Sequence, residues 1–197
     1  MQIILDNNTL NNFVLTNHDY LVDINYYDNM SGINEYRLYS YLSTLFTDTV
    51  ILDIGTYNGR SAVALSHNMD NKVISYNISD QINNSNHKIY TKSNIEFKIK
   101  NVIEDLSVKF LENVKLIVID IDHFYTAEIE IISKLIELKY DGLIILDDIH
   151  HPSPREYACM QKLWNNIDVS KIDITKYGHC TGTGLINLTS NIHIIEN

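Results

Sequence analysis

Residues 116–154 read LIVIDIDHFYTAEIEIISKLIELKYDGLIILDDIHHPSP, and the way this stretch divides decides the fold. Its two apolar runs, residues 116–119 and 143–146, are short, rich in β-branched side chains and closed by aspartate, as buried strands are. Between them, over residues 126–140, Ile131, Ile132, Leu135, Ile136 and Leu138 recur at three- and four-residue intervals, and Glu128, Glu130, Lys134 and Glu137 supply a polar face. The pattern predicts a strand, a crossover helix and a parallel strand. Such a βαβ unit spans about 30 residues, and its right-handed crossover brings both carboxyl ends to one sheet edge. Asp120, Asp122, Asp147 and Asp148 are thereby expected to approach one another.

Crowded carboxylates repel unless one is protonated or a cation lies between them. An all-oxygen set suits magnesium, manganese or calcium better than zinc. Strand-end aspartates also cap the turns that follow them, so on spacing alone capping weighs as heavily as metal binding. Asp122 is read as lying behind the site or on the surface.

The 197 residues suffice for one domain with a sizeable core and are too few for two comfortable ones. Fifteen basic residues against 25 acidic give a net charge of −10, which argues against nucleic acid or an anionic membrane as partner. Cys159 and Cys180 form no CxxC or zinc-type spacing, so neither a disulfide framework nor a zinc site is expected and the reduced cytoplasm is the default. The opening MQIILDNNTL lacks the basic start and apolar run of a signal peptide, and no apolar stretch is long enough to span a membrane.

Outward from the central unit, residues 1–34 are polar and Asn-rich and read as an arm or lid, with each of their scattered tyrosines expected to pack on the core. Residues 35–190 read as the domain proper and 191–197 as a tail. EYRLYSYLSTLF has helical spacing and leads into TVILDI, the first convincing strand; Gly55, Gly59 and a helix SAVALSHNM follow. KVISYN and NIEFKI are further strands, IEDLSVKFLENV is predicted helical, and PREYACMQKLWNNI forms a last helix in which Trp164 packs on the core. KIDITKY and GTGLINL close the chain as a hairpin-like pair. The expected fold is an α/β three-layer sandwich with a mixed, mostly parallel sheet.

A strand, a glycine turn and a helix in ILDIGTYNGRSAVALS present close backbone approach to a nucleotide-like ligand. The spacing is Gly-x-x-x-Gly, which does not match the GxGxxG of dinucleotide sites. DIGTYNGRS resembles the first motif of class I S-adenosylmethionine-dependent methyltransferases, in the form carried by catechol O-methyltransferase and its relatives. The resemblance implies a Rossmann-like, mostly parallel seven-stranded sheet ending in an antiparallel strand. It implies cofactor contacts from Asp53, Gly55, Tyr57, Gly59 and Ser61, from Asn77 where the family carries an acidic ribose ligand, from Asn101 and Val102 beside the adenine, and from Asp120. Asparagine binds a diol without charge assistance, so weaker cofactor affinity is expected.

IDIDHFY is similar to a signature of the metal-dependent O-methyltransferases. In that group one aspartate after the fourth strand and an acidic pair after the fifth hold Mg2+ (or Mn2+), which implies Asp120, Asp147 and Asp148 here. Three residues beyond the first ligand, catechol-type enzymes carry a lysine base, and macrolide and sugar enzymes carry histidine; this chain has His123. The resemblance spans roughly residues 35 to 188. It implies an enzyme that transfers methyl from S-adenosylmethionine to a hydroxyl of a sugar or polyol-bearing acceptor, a small molecule or glycan. His123 would be the general base, a role that suits histidine near neutral pH. His150 and His151 read as surface residues, with a substrate contact as the alternative. A catechol or phenol acceptor and a non-catalytic module keeping the fold are the competing readings, and a homo-oligomer is compatible with all of them.

Overall fold

The computed structural model describes residues 1–24, 26–29, 32–82, 87–123, 125–150 and 154–197, without the side chains of 154–159. Seven strands form the central sheet: β2 (Val50–Ile54), β3 (Lys72–Asn77), β4 (Ile95–Ile99), β5 (Val114–Ile119), β6 (Leu143–Asp147), β7 (Lys171–Asp173) and β8 (Thr183–Asn187). Their order is β4-β3-β2-β5-β6-β8-β7, and β8 runs antiparallel to both neighbours while every other pairing is parallel. The mostly parallel α/β sandwich expected from the sequence is therefore present. The order reverses between β2 and β5, and a crevice forms at the carboxyl ends of adjoining strands at such a reversal.

Strand residues alternate between two cores. Ile51, Val73, Val118 and Ile145 face one side, with Leu38, Tyr39 and Leu42 of α2 (Ile33–Thr44) and Ala62 to Leu65 of α3 (Arg60–Leu65). Leu52, Ile74, Ile117 and Ile144 face the other, with Ile131, Ile132 and Leu135 of α5 (Thr126–Glu137) and Leu163 and Trp164 of α6 (Pro154–Asn166). Both faces being covered explains why these strands are apolar throughout.

Two segments differ from the sequence reading. The predicted helix over IEDLSVKFLENV divides into a 3₁₀ turn at Val102–Glu104 and the single turn α4 (Val108–Leu111), because Ser107 restarts the chain as an N-cap, its hydroxyl accepting from the Phe110 N–H at 3.2 Å. The N-terminal residues pack closely: β1 (Gln2–Leu5), followed by α1 (Asn7–Asn11), pairs in parallel with β9 (His193–Glu196). Ile3, Leu5, Leu10, Leu15, Leu21 and Tyr27 join the first core.

Candidate functional site

At the sheet reversal lies a cavity of about 510 Å3 lined by Gly55, Tyr57, Asn77, Asn101, Val102, Asp120 and His123, among others. Gly55 makes this edge possible. Its φ is +112°, and a Cβ there would lie 1.6 Å from the Asp120 carbonyl oxygen, so only glycine lets the β2 turn pass the end of β5. Gly59, at φ +85°, opens α3 beside Ile89 and shapes the turn from behind.

Of the residues implied for the cofactor, Asp53 and Ser61 are buried. Asp53 is 1% exposed; its Oδ2 accepts from the Ser75 hydroxyl at 2.6 Å, and its Oδ1 has no partner among the described residues. Burial pushes its carboxyl up to about 6 against hydrogen bonds from Ser75 and Ser61. Asn77 closes β3 with its Oδ1 accepting from the Ile78 N–H at 3.0 Å, while its Nδ2 is buried and without a partner among the described residues. An unpartnered amide thus stands where the resemblance implies a charged acceptor. The Asn101 side chain instead caps the following 3₁₀ turn by accepting from Ile103 at 3.0 Å.

Beside the cavity the aspartates of β5 and β6 converge as the βαβ reading predicts. His123 Nε2 stands 3.1 Å from Asp148 Oδ2 and 3.7 Å from Asp120 Oδ1. Both His123 and Asp148 have φ +59°, and the His123 N–H donates to Glu128 Oε1 at 2.8 Å, which pins this left-handed turn to the start of α5. Asp122 is exposed and lines the cavity wall. His150 contacts Asp173 Oδ2 at 2.6 Å, away from the aspartates, and His151 lies outside the described residues.

Two further groups complete the acidic centre, and the sequence did not reveal either. Glu35, from α2, is 3% exposed, and it forms with Asp120 and Asp147 a trio whose donor atoms all lie within 4.8 Å of one another. His179, from the loop before β8, forms a second such trio with Asp147 and Asp148. Its Nδ1 is 3.3 Å from Asp148 Oδ1 and 3.5 Å from Asp147 Oδ2, and its Nε2 meets the Tyr26 hydroxyl at 2.6 Å. The Thr181 hydroxyl donates to Asp148 Oδ1.

The electrostatics divide this centre. Burial first, then the charge of Asp147, pushes the Glu35 carboxyl up to about 8. Burial together with Asp147, Glu35 and Asp148 holds Asp120 well above the carboxylate range, and burial raises Asp147. For Asp148 the burial cost is overcome by hydrogen bonds from His179 and Thr181, and its carboxyl sits below its ordinary value. His179, which burial alone would push down, is carried up to about 12 by Asp147 and Asp148. An imidazolium shared by Asp147 and Asp148 thus lies next to the crowded carboxyls of Glu35 and Asp120. Asp147 Oδ1 is buried with no partner among the described residues, and this donor set fits a hard divalent ion.

No protein-family model matches the sequence, and no curated protein matches it. Among solved structures, the chain is similar to the Podospora anserina methyltransferase PaMTH1 bound to S-adenosylhomocysteine, with 14% identity, 77% of this chain and 76% of that one covered, and a TM-score of 0.57. It is also similar to the O-methyltransferase TomG from Streptomyces achromogenes in complex with S-adenosylmethionine (16% identity, 79% of each chain, TM-score 0.54). A third likeness is to cofactor-bound Rv0187 from MTB (14% identity, 78% of each chain, TM-score 0.56). The chain has the class I fold of S-adenosylmethionine-dependent O-methyltransferases.

Proposed function

We propose that the protein is an O-methyltransferase that moves a methyl group from S-adenosylmethionine to a hydroxyl of a sugar or polyol-bearing acceptor at a divalent-cation centre. One observation carries this reading: Asp120 and His123 belong at once to the wall of the cavity and to the acidic centre, so cofactor and acceptor sites adjoin. Asn77, Tyr57, Val102 and the Gly55 turn hold the cofactor. Asp120, Asp147 and Asp148 supply the anionic centre, where Mg2+ or Mn2+ would orient two acceptor oxygens and acidify the attacking hydroxyl.

The acceptor oxygen attacks the sulfonium methyl carbon. The carbon–sulfur bond breaks with its electron pair going to sulfur, which leaves S-adenosylhomocysteine, and the hydroxyl proton passes to the His123 imidazole. Asp148, 3.1 Å from His123 Nε2, is placed to stabilise the imidazolium so formed.

Calorimetry with S-adenosylhomocysteine tests the cofactor half: binding is expected, and none at about 1 mM ligand would remove the enzyme reading. A methylation panel of free and nucleotide-linked sugars beside catechol tests the acceptor. Turnover of catechol alone would overturn the sugar assignment.

A further inference from the structure

We propose that the cation is ligated by Glu35, Asp120 and Asp147, and that Asp148 is engaged by His123, His179 and Thr181 instead of by the ion. This rests on reading the acidic centre as a cation site, and it moves one ligand from the acidic pair after β6 to a helix on the other side of the sheet edge.

The first ground is Glu35 itself. The buried residues of α2 are Glu35, Tyr36, Leu38, Tyr39, Ser40, Leu42 and Ser43, so Glu35 is the one carboxyl among them. A carboxyl at 3% exposure keeps its proton until a cation compensates its charge. Among the described residues no lysine or arginine forms an ion pair with Glu35, Asp120 or Asp147.

The second ground is the unused oxygen. Asp147 is 3% exposed, and its Oδ1 finds no donor among the described residues. The donor atoms of its trio with Glu35 and Asp120 lie within 4.8 Å of one another. Oxygens on one magnesium or manganese ion stand about 3 Å apart when adjacent and about 4 Å apart when opposite, so the trio draws together to enclose an ion.

The other trio, Asp147, Asp148 and His179, is as compact but already closed. Asp148 Oδ1 takes the Thr181 hydroxyl and faces His179 Nδ1 at 3.3 Å, and Asp148 Oδ2 faces His123 at 3.1 Å. His179 has both ring nitrogens engaged, Nδ1 also meeting Thr181 Oγ1 at 2.7 Å and Nε2 meeting Tyr26 at 2.6 Å. A cation entering there would have to displace the Thr181 and Asp148 contacts of His179 Nδ1.

The test measures Mn2+ binding by electron paramagnetic resonance on the full chain, with no acceptor and no turnover. Glu35→Gln, which keeps shape and removes charge, is expected to weaken Mn2+ at least about tenfold, and Asp148→Asn less than about threefold. Glu35→Asp, which keeps charge and shortens the reach, should weaken it at least about threefold. Unchanged S-adenosylhomocysteine affinity in each variant shows that the fold and the cofactor half are intact. Native protein that binds Mn2+, with Asp148→Asn losing it and Glu35→Gln keeping it, overturns the ligand assignment but leaves the proposed function standing. Equal losses overturn it too. Native protein that binds no Mn2+ overturns both the assignment and the cation centre beneath it.

Discussion

Replacing Asp53 by asparagine isolates the cost of a buried carboxylate at the end of β2, next to the Gly55 turn. The side chain is 1% exposed, and its pKa rises from 3.8 to about 6 because burial outweighs the hydrogen bonds from Ser75 and Ser61. A folded pKa above the unfolded one means that the protonated form adds stability below pH 3.8, and that this stability is lost as pH climbs through about 6. The full loss is worth about 3 kcal/mol, at about 1.4 kcal/mol for each tenfold change in proton affinity. Asparagine keeps an acceptor for Ser75 and cannot ionise. The stability gap between variant and native protein therefore widens with pH, reaching about 1.5 kcal/mol of the change by pH 5 and about 3 kcal/mol by pH 7.5. Urea unfolding at these two pH values reads the difference directly, since fixed effects of the substitution cancel. In a thermal scan the same widening is a shift of about 3 to 6 °C. A gap that stays constant from pH 5 to 7.5, or narrows, would refute the reasoning, because the carboxyl would then ionise at an ordinary pH despite its burial.

Gly55→Ala places a Cβ 1.6 Å from the Asp120 carbonyl oxygen at φ +112°, so it should lower stability by at least about 2 kcal/mol and abolish S-adenosylhomocysteine binding; calorimetry showing native affinity would contradict the close approach. Asn77→Asp offers the ligand a charge-assisted acceptor in place of the unpartnered Nδ2, and the expected outcome is about tenfold tighter S-adenosylhomocysteine; weaker binding would mean that the amide donates to the ligand. His123→Asn, chosen because asparagine tolerates the φ of +59° that alanine would resist, should lower kcat at least about a hundredfold with cofactor affinity changed less than about twofold. Equal losses in both would assign His123 to the cofactor and not to proton transfer.

The sheet was legible because burial on two faces writes itself as short apolar runs, and the aspartates that end β5 and β6 mark one edge. The glycine turn was legible for a similar reason, since Gly55 answers a backbone demand that no other residue meets. Glu35 was not. In EYRLYSYLSTLF a glutamate at the start of a helix looks solvated, and only the docking of α2 on the sheet shows that it lies on the buried stripe. His179, Thr181 and Tyr26 escaped notice because they lie more than 25 residues from the aspartates in sequence, in turns without periodicity, and tertiary packing alone brings them in. The pairing of β1 with β9 was hidden by the brevity of both strands, four residues each.

That pairing also orders events in time. Ile3 meets Ile194 and Leu5 meets Glu196, so this strand waits for a partner made about 190 residues after it. The same holds for Tyr26, whose hydroxyl awaits His179 across 153 residues of intervening chain. Contacts of such long separation form slowly, after the local βαβ units have condensed. During synthesis the sheet edge with its aspartates is therefore assembled while the segment that will cover it still lacks its anchor. Arrival of the segment that carries His179, and not pairing of the parallel strands, is the step that closes the acidic centre.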